Sequence, residues 1–146
     1  MRNLFTSLFL ILCAAAATSA RADTLPSEAE ARQLADKVMT AAGKGQTDDA
    51  YAIMAPYVLT NVDEFERSRE RDREARIKLE QDVGSSTGYE YIRTEKLGES
   101  VLRLLYVEKA ERRALAWQFI FFKTPAGWGL SAMRSSNDIN VLFSCN

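Results

Sequence analysis

Histidine is absent from all 146 residues, and cysteine occurs only at Cys13 and Cys145. Without an imidazole there is no Ser-His or Cys-His nucleophile pair and no histidine-ligated zinc site, and two cysteines cannot build a thiolate cluster. No metal or cofactor is therefore expected. An excess of positive charge is also missing. Nineteen basic residues face 20 acidic ones, a net charge of −1, which gives no counterion-release drive toward nucleic acid. The seven glycines form no phosphate-cradling loop: Gly43-Lys44-Gly45 lacks both the Walker spacing and a preceding strand. Internal repeats and low-complexity segments are absent too.

A long apolar run occurs only at the start. Met1-Arg2-Asn3 is a short basic lead, and from Leu4 to Ala17 only Thr6 and Ser7 are polar. That stretch is too short to span a bilayer comfortably and reads as a signal-peptide core. Ala20-Arg21-Ala22 has the small-x-small form that signal peptidase accepts, with Thr18-Ser19-Ala20 as a second site. Residues 1–22 are thus expected to be removed on export to the periplasm or the medium, leaving residues 23–146 as a single soluble domain without stable membrane insertion. Leu12 before Cys13 is not the small residue a lipid-attachment site requires. Cys145 is then the one remaining cysteine in an oxidising compartment, either a free thiol or an intermolecular link.

Helical signals come first along the remaining chain. Ser27 with Glu30 forms a capping box, and Ala31, Leu34, Ala35, Val38 and Ala42 recur at helical spacing, predicting a helix over Glu28 to Ala42. After Gly43-Lys44-Gly45-Gln46, Thr47 is placed to cap a short helix carrying Ala50, Ile53 and Met54, which ends before Pro56. Asn61 and Glu64 open a third helix that neither glycine nor proline interrupts before Val83. Its segment Arg67 to Glu74 is almost wholly charged with alternating sign, and reads as a solvated face. Asp63 to Arg67, Asp72 to Arg76 and Glu74 to Lys78 are favourable four-residue pairs.

Gly84-Ser85-Ser86-Thr87-Gly88 marks a loop, after which aromatic and branched residues dominate. Tyr89 to Leu97, Val101 to Glu108, Ala114 to Lys123 and Trp128 to Ser136 are predicted strands, and the short connections between them force antiparallel neighbours. In the third strand Leu115, Trp117, Phe119 and Phe121 share one face, and Ala116, Gln118, Ile120 and Phe122 the other. One face meets the helices, and the second also calls for cover. The expected class is α+β, with N-terminal helices packed on a curved antiparallel four-stranded sheet.

This arrangement resembles the NTF2-like superfamily, a cone in which a bent sheet wraps a long helix. The residues that carry the resemblance are the helical first half, Leu97-Gly98-Glu99-Ser100, Arg103, Tyr106, Trp117, Phe119, Phe121, Phe122 and Gly127-Trp128-Gly129-Leu130. The family includes isomerases, dehydratases, cyclases and many non-catalytic binders, commonly dimeric through the sheet. The absence of histidine puts its histidine-dependent activities out of reach.

The candidate site residues are polar or aromatic groups among apolar neighbours. Arg103 alternates with Val101, Leu105 and Val107, and a buried arginine requires either a ligand anion or a carboxylate of the protein. Tyr91 and Trp117, with Tyr89 and Trp128, fit a pocket lining or simply core and dimer contacts. Gln118 and Arg134 are further candidate ligand contacts. Asp138 and Tyr106 are the weak catalytic candidates, as a base and a polarising group. The expected function is an exported, non-catalytic domain binding a small apolar or anionic ligand or a protein partner. One alternative is an isomerase or lyase in which Asp138, Tyr106 and Arg103 converge. Another is a structural homodimer, in which Phe121→Asp yields monomers or aggregates.

Overall fold

The first helix begins where the sequence supplies a cap. In the computed structural model, which describes residues 22–143, α1 (Glu28–Ala42) starts after Ser27, whose Oγ accepts a hydrogen bond from the Glu30 backbone N–H at 3.2 Å. Its apolar stripe, from Ala31 through Leu34, Ala35 and Val38 to Ala42, is buried as the periodicity requires. Helix α2 (Thr47–Met54) buries Ala50, Tyr51 and Met54. Gln46 rather than Thr47 stands at its cap, without a side-chain bond, so Thr47 is the first helical residue instead of the expected cap. A 3-10 turn over Ala55–Tyr57 carries the chain past Pro56.

Helix α3 (Val62–Val83) is capped by Asn61, whose side chain accepts from the Asp63 N–H at 2.8 Å. It stops at Gly84, whose φ of 79° lies where glycine is favoured. Val83 is its single fully buried residue. So charged a helix keeps most of its surface in water and stands over the sheet rather than sinking into it.

The sheet runs β1 (Ser86–Leu97), β2 (Val101–Ala110), β3 (Ala114–Thr124) and β4 (Gly127–Ser136), in that spatial order with every pair antiparallel. This is the expected α+β class. β1 starts earlier than the glycine-rich signal suggested, because Ser86 and Gly88 already pair with Ala110 and Lys109 around a bulge. Further irregularities between Tyr91 and Arg93, and beside Ile120, bend the strands. The flanking chain grips the free edge of β4: Leu25 bridges Trp128, and Val58 bridges Leu130 in parallel. At Gly129 the Leu59 side chain packs directly onto the backbone, and a Cβ there would require Leu59 to shift.

Leu102, Leu104 and Tyr106 of β2, with Leu115, Phe119 and Phe121 of β3, point toward the helices and form the main core. The opposite face is covered only in part. A 3-10 turn over Ile139–Leu142 lays Leu142 on Leu105 and Ala116, while Phe122 is 44% exposed and Leu97 76%. Among the described residues no helix is long and apolar enough to cross a membrane. The signal segment up to Arg21, Cys13 and Cys145 lie outside the described residues.

Candidate functional site

Helix α3 turns Phe65, Ser68, Asp72, Ala75, Leu79 and Val83 toward the protein, at intervals of three and four residues. Ser68, Asp72 and Ala75 among them are small or polar. Leucines at 72 and 75 would close against β3 and β4; Asp72 and Ala75 instead border a cavity of about 380 Å³. The floor is Leu115, Trp117 and Met133, and the sides are Ala42 and Ala50 from α1 and α2 and Leu79 from α3. Lys78, Asp82, Ser135, Ser136 and Asn137 bring polar atoms to it.

Two polar contacts hold α3 above the cavity. Tyr51 donates its hydroxyl to Asp72 Oδ2 at 2.6 Å. Burial, then the bond to Asp72, push this phenol well above its ordinary value of 10.0. Deeper, Glu108 is fully buried at the end of the inward register of β2. Its Oε2 accepts from Trp117 Nε1 at 2.9 Å and Arg76 Nη1 at 3.0 Å, and its Oε1 lies 2.8 Å from Arg76 Nη2. Arg76 also contacts Glu80 at 2.9 Å. Burial by itself lowers the basicity of this guanidinium, but the bonds to Glu108 and Glu80 outweigh it, and Arg76 is held above its ordinary value.

Of the residues singled out in the sequence, Trp117 alone lies in this cavity. Tyr91 is on the helix side of the sheet, with the Arg32 guanidinium 3.2 Å above its ring and its hydroxyl 2.5 Å from Thr94 Oγ1. Its neighbour Tyr106 is buried edge-on against Phe119 and donates to Asp36 Oδ1 at 2.8 Å, while the Tyr89 hydroxyl reaches the Asp36 carbonyl at 3.2 Å. Trp128 is packed in the core. Arg103 faces the other way, on the outer side of the sheet, and donates to Glu95 Oε2 at 2.6 Å. The carboxylate partner, not a ligand, thus satisfies it, and with Arg93 it holds Glu95 below its ordinary value even though burial acts in the opposite direction. Gln118 and Arg134 pair across the same outer face, and Arg134 reaches only a smaller cavity near Phe65. Asp138 is exposed and caps the last turn by accepting from the Asn140 N–H at 2.9 Å.

The expected convergence of Asp138, Tyr106 and Arg103 is therefore not formed. The three are on a surface turn, in the core beside α1, and on the outer face. The pairing of Asp72 with Arg76 is replaced as well: Asp72 turns to Tyr51, and Arg76 to Glu80 and Glu108. Tyr51, Asp72, Arg76, Glu108 and Met133 were not read from the sequence as site residues. One signal was present. Leu102, Leu104 and Tyr106 continue with Glu108 in the inward register, and a carboxylate placed there demands a buried partner. Among the described residues no three Asp, Glu or Cys side chains are grouped to hold a metal ion.

Tyr51 and Tyr106 give a direct optical check on this geometry. Both have folded-state values above 10.0 from burial first and a carboxylate partner second. The stabilisation they contribute is complete below the unfolded value and is lost as pH rises through the folded one. Alkaline titration followed at the phenolate absorption band is expected to show two of the five tyrosines ionising only with unfolding. Tyr51→Phe and Tyr106→Phe should each remove part of that late step, and an unchanged late step would place these phenols in water.

No protein-family profile matches the chain, and no curated protein matches it in sequence. Among solved structures it is similar to a protein from Thiobacillus denitrificans provisionally assigned as a calcium/calmodulin-dependent protein kinase type II association domain. That match has 12% identity and a TM-score of 0.47, over 80% of this chain and 98% of the other.

Proposed function

We propose that this chain is an exported, non-catalytic domain of NTF2-like cone form that holds a small, largely apolar ligand in the cavity beneath α3. The observation that carries this reading is the cavity itself: about 380 Å³ of space with an apolar floor, under a helix whose outer surface is charged. Protein interiors pack densely, and a space of this size lined by Trp, Leu and Met is of the kind that receives small molecules. The ionisable groups at its wall support a binding role over a catalytic one. Asp72 is taken up by Tyr51, Arg76 by Glu80 and by Glu108 buried behind the wall, and the Tyr51 phenol is held protonated. An apolar ligand is favoured over an anionic one, because the lining is mostly apolar, Arg76 already serves two carboxylates, and Lys78 is accompanied by Asp72 and Asp82.

Trp117 makes the reading measurable. Titration with the neutral fluorophore N-phenyl-1-naphthylamine is expected to quench or shift Trp117 emission, and Trp117→Phe separates that signal from Trp128. Ala75→Phe, at an exposed helix position opening into the cavity, should weaken the probe by about tenfold or more while leaving the melting temperature within a few degrees. Unchanged emission and no probe binding by the wild type would sink the ligand reading. The export step is tested separately, by the mass of the mature N-terminus recovered from the exported fraction.

A second reading has its own support. Val101 and Ile120, both half-buried, adjoin exposed Leu97 and Phe122 on the outer face of the sheet, next to the paired charges of Arg103 and Glu95. A patch that is apolar and carries both signs of charge is suited to a second copy of this chain, giving a homodimer through the sheet.

A further inference from the structure

The cavity wall contains a carboxylate that no cation neutralises among the described residues. Asp72 is half-buried on the inner side of α3 and accepts one hydrogen bond, at Oδ2, from the neutral Tyr51 hydroxyl. Among the described residues no donor reaches its second oxygen, Oδ1. The helix is rich in arginine, and Arg69 and Arg76 stand at the three- and four-residue spacings that allow pairing with Asp72. Each turns elsewhere. Arg69 holds Glu66 at 2.8 Å, and Arg76 holds Glu80 at 2.9 Å and Glu108 at 2.8 Å. Of the adjacent arginines, Arg71 donates to Ser68 Oγ at 2.9 Å and Arg73 to Glu70 at 2.6 Å.

A carboxylate drawn part-way out of water gains most from an opposite charge. The other ionisable groups of the lining do not provide it. Lys78 is exposed, and Asp82, also exposed, follows it one turn on and offsets it. With Arg76 committed to two carboxylates, the lining keeps an excess of negative charge beside Tyr51 and Trp117. The faces of such rings also attract cations.

We propose that the ligand is a protonated amine on an apolar body, with the ammonium donating to Asp72 Oδ1 and the body resting on Leu115, Trp117 and Met133. This rests on the ligand-binding reading above and adds the charge of the ligand. Asp72 and the three apolar residues border the same cavity, so one molecule can meet both. The Tyr51 bond, 2.6 Å long, holds the carboxylate in place before anything binds, and a preordered group loses little freedom on association. An anion would meet Asp72 with no cation between them, and a neutral molecule would leave Oδ1 to water.

The test compares three naphthalenes of similar shape, 1-naphthylmethylamine, 1-naphthylmethanol and 1-naphthoate, as competitors of N-phenyl-1-naphthylamine on the full mature chain at neutral pH. The amine is expected to bind about tenfold more tightly than the alcohol, and the carboxylate most weakly. Asp72→Asn, whose amide oxygen still accepts from Tyr51, should bring the amine down to the alcohol. Glu74→Gln removes the same charge from an exposed position of α3 outside the cavity, and there the preference for the amine should persist. The wild-type comparison needs no variant to fold. If the alcohol or the carboxylate binds wild type as tightly as the amine, if the preference survives Asp72→Asn, or if Glu74→Gln abolishes it equally, the pairing with Asp72 is overturned while the ligand reading stands. If neither the probe nor any naphthalene binds, both fall.

Discussion

Arg76→Met is expected to lower the free energy of unfolding by about 3–5 kcal/mol at neutral pH, read from the midpoint and slope of chemical denaturation. The cause is not the lost attraction alone. Glu108 has no exposed surface, and without Arg76 its carboxylate keeps a single neutral donor, the Trp117 indole N–H. Taking a charged carboxylate out of water costs several kcal/mol unless another charge compensates it. The double variant Arg76→Met with Glu108→Gln is expected to recover the larger part of the loss, since the amide oxygen still accepts from Trp117 and no charge remains buried. That recovery is the thermodynamic signature of a buried pair. A loss below about 0.5 kcal/mol for Arg76→Met would mean that water reaches Glu108, and the description of the cavity wall would have to change.

The second large effect separates two adjacent phenylalanines. Phe121→Asp is expected to abolish cooperative unfolding altogether. Phe121 is completely buried on the helix side of β3; removing such a ring costs about 3–5 kcal/mol, and the new carboxylate has no partner. Together these approach the whole stability of a domain, about 5–15 kcal/mol. The sequence-based expectation that Phe121→Asp would report on a dimer is thereby corrected, because the variant tests the core. Phe122→Asp is the proper probe of the outer face. At 44% exposure it should alter monomer stability by less than about 1 kcal/mol. If two copies pair through this face, sedimentation should show a dimer for the wild type and a monomer for Phe122→Asp. A wild-type monomer at high concentration would remove the homodimer reading, and a folded, cooperative Phe121→Asp would contradict the assignment of faces.

The helices and strands were legible because their signals are local. A capping serine or asparagine, a helical stripe of alanine, leucine and valine, and short turns between alternating segments each act over a few residues, and α1, α3 and β2 to β4 lie within two residues of where these signals put them. β1 was read short at its start because glycine and serine near a bulge look like a loop. The two faces of β3 were also separable, by simple alternation. Which face would meet the helices was not, since both are rich in aromatic and branched residues, and only the packing of Leu142 against Leu105 and Ala116 settles that the second face is half covered.

The candidate site was almost illegible for a different reason. Arg103, Gln118 and Arg134 interrupt the apolar alternation of the strands, but their register sends them outward, where Glu95 takes up Arg103. The residues that shape the cavity belong instead to the charged helix, which read as a solvated surface. Most of it is solvated. Yet a helix in which Ser68, Asp72 and Ala75 face inward defines a cavity by what it fails to fill, and no single residue announces a space. By itself the sequence determined the α+β class, the order of its elements and the exclusion of histidine- and cysteine-cluster chemistry, because these follow from composition and near neighbours. The tertiary structure alone decided that Tyr51, Arg76 and Trp117 line one cavity, with Glu108 buried behind Arg76 and Trp117. They come from four elements separated by up to 66 positions, and a contact between such residues is set by how helix and sheet pack.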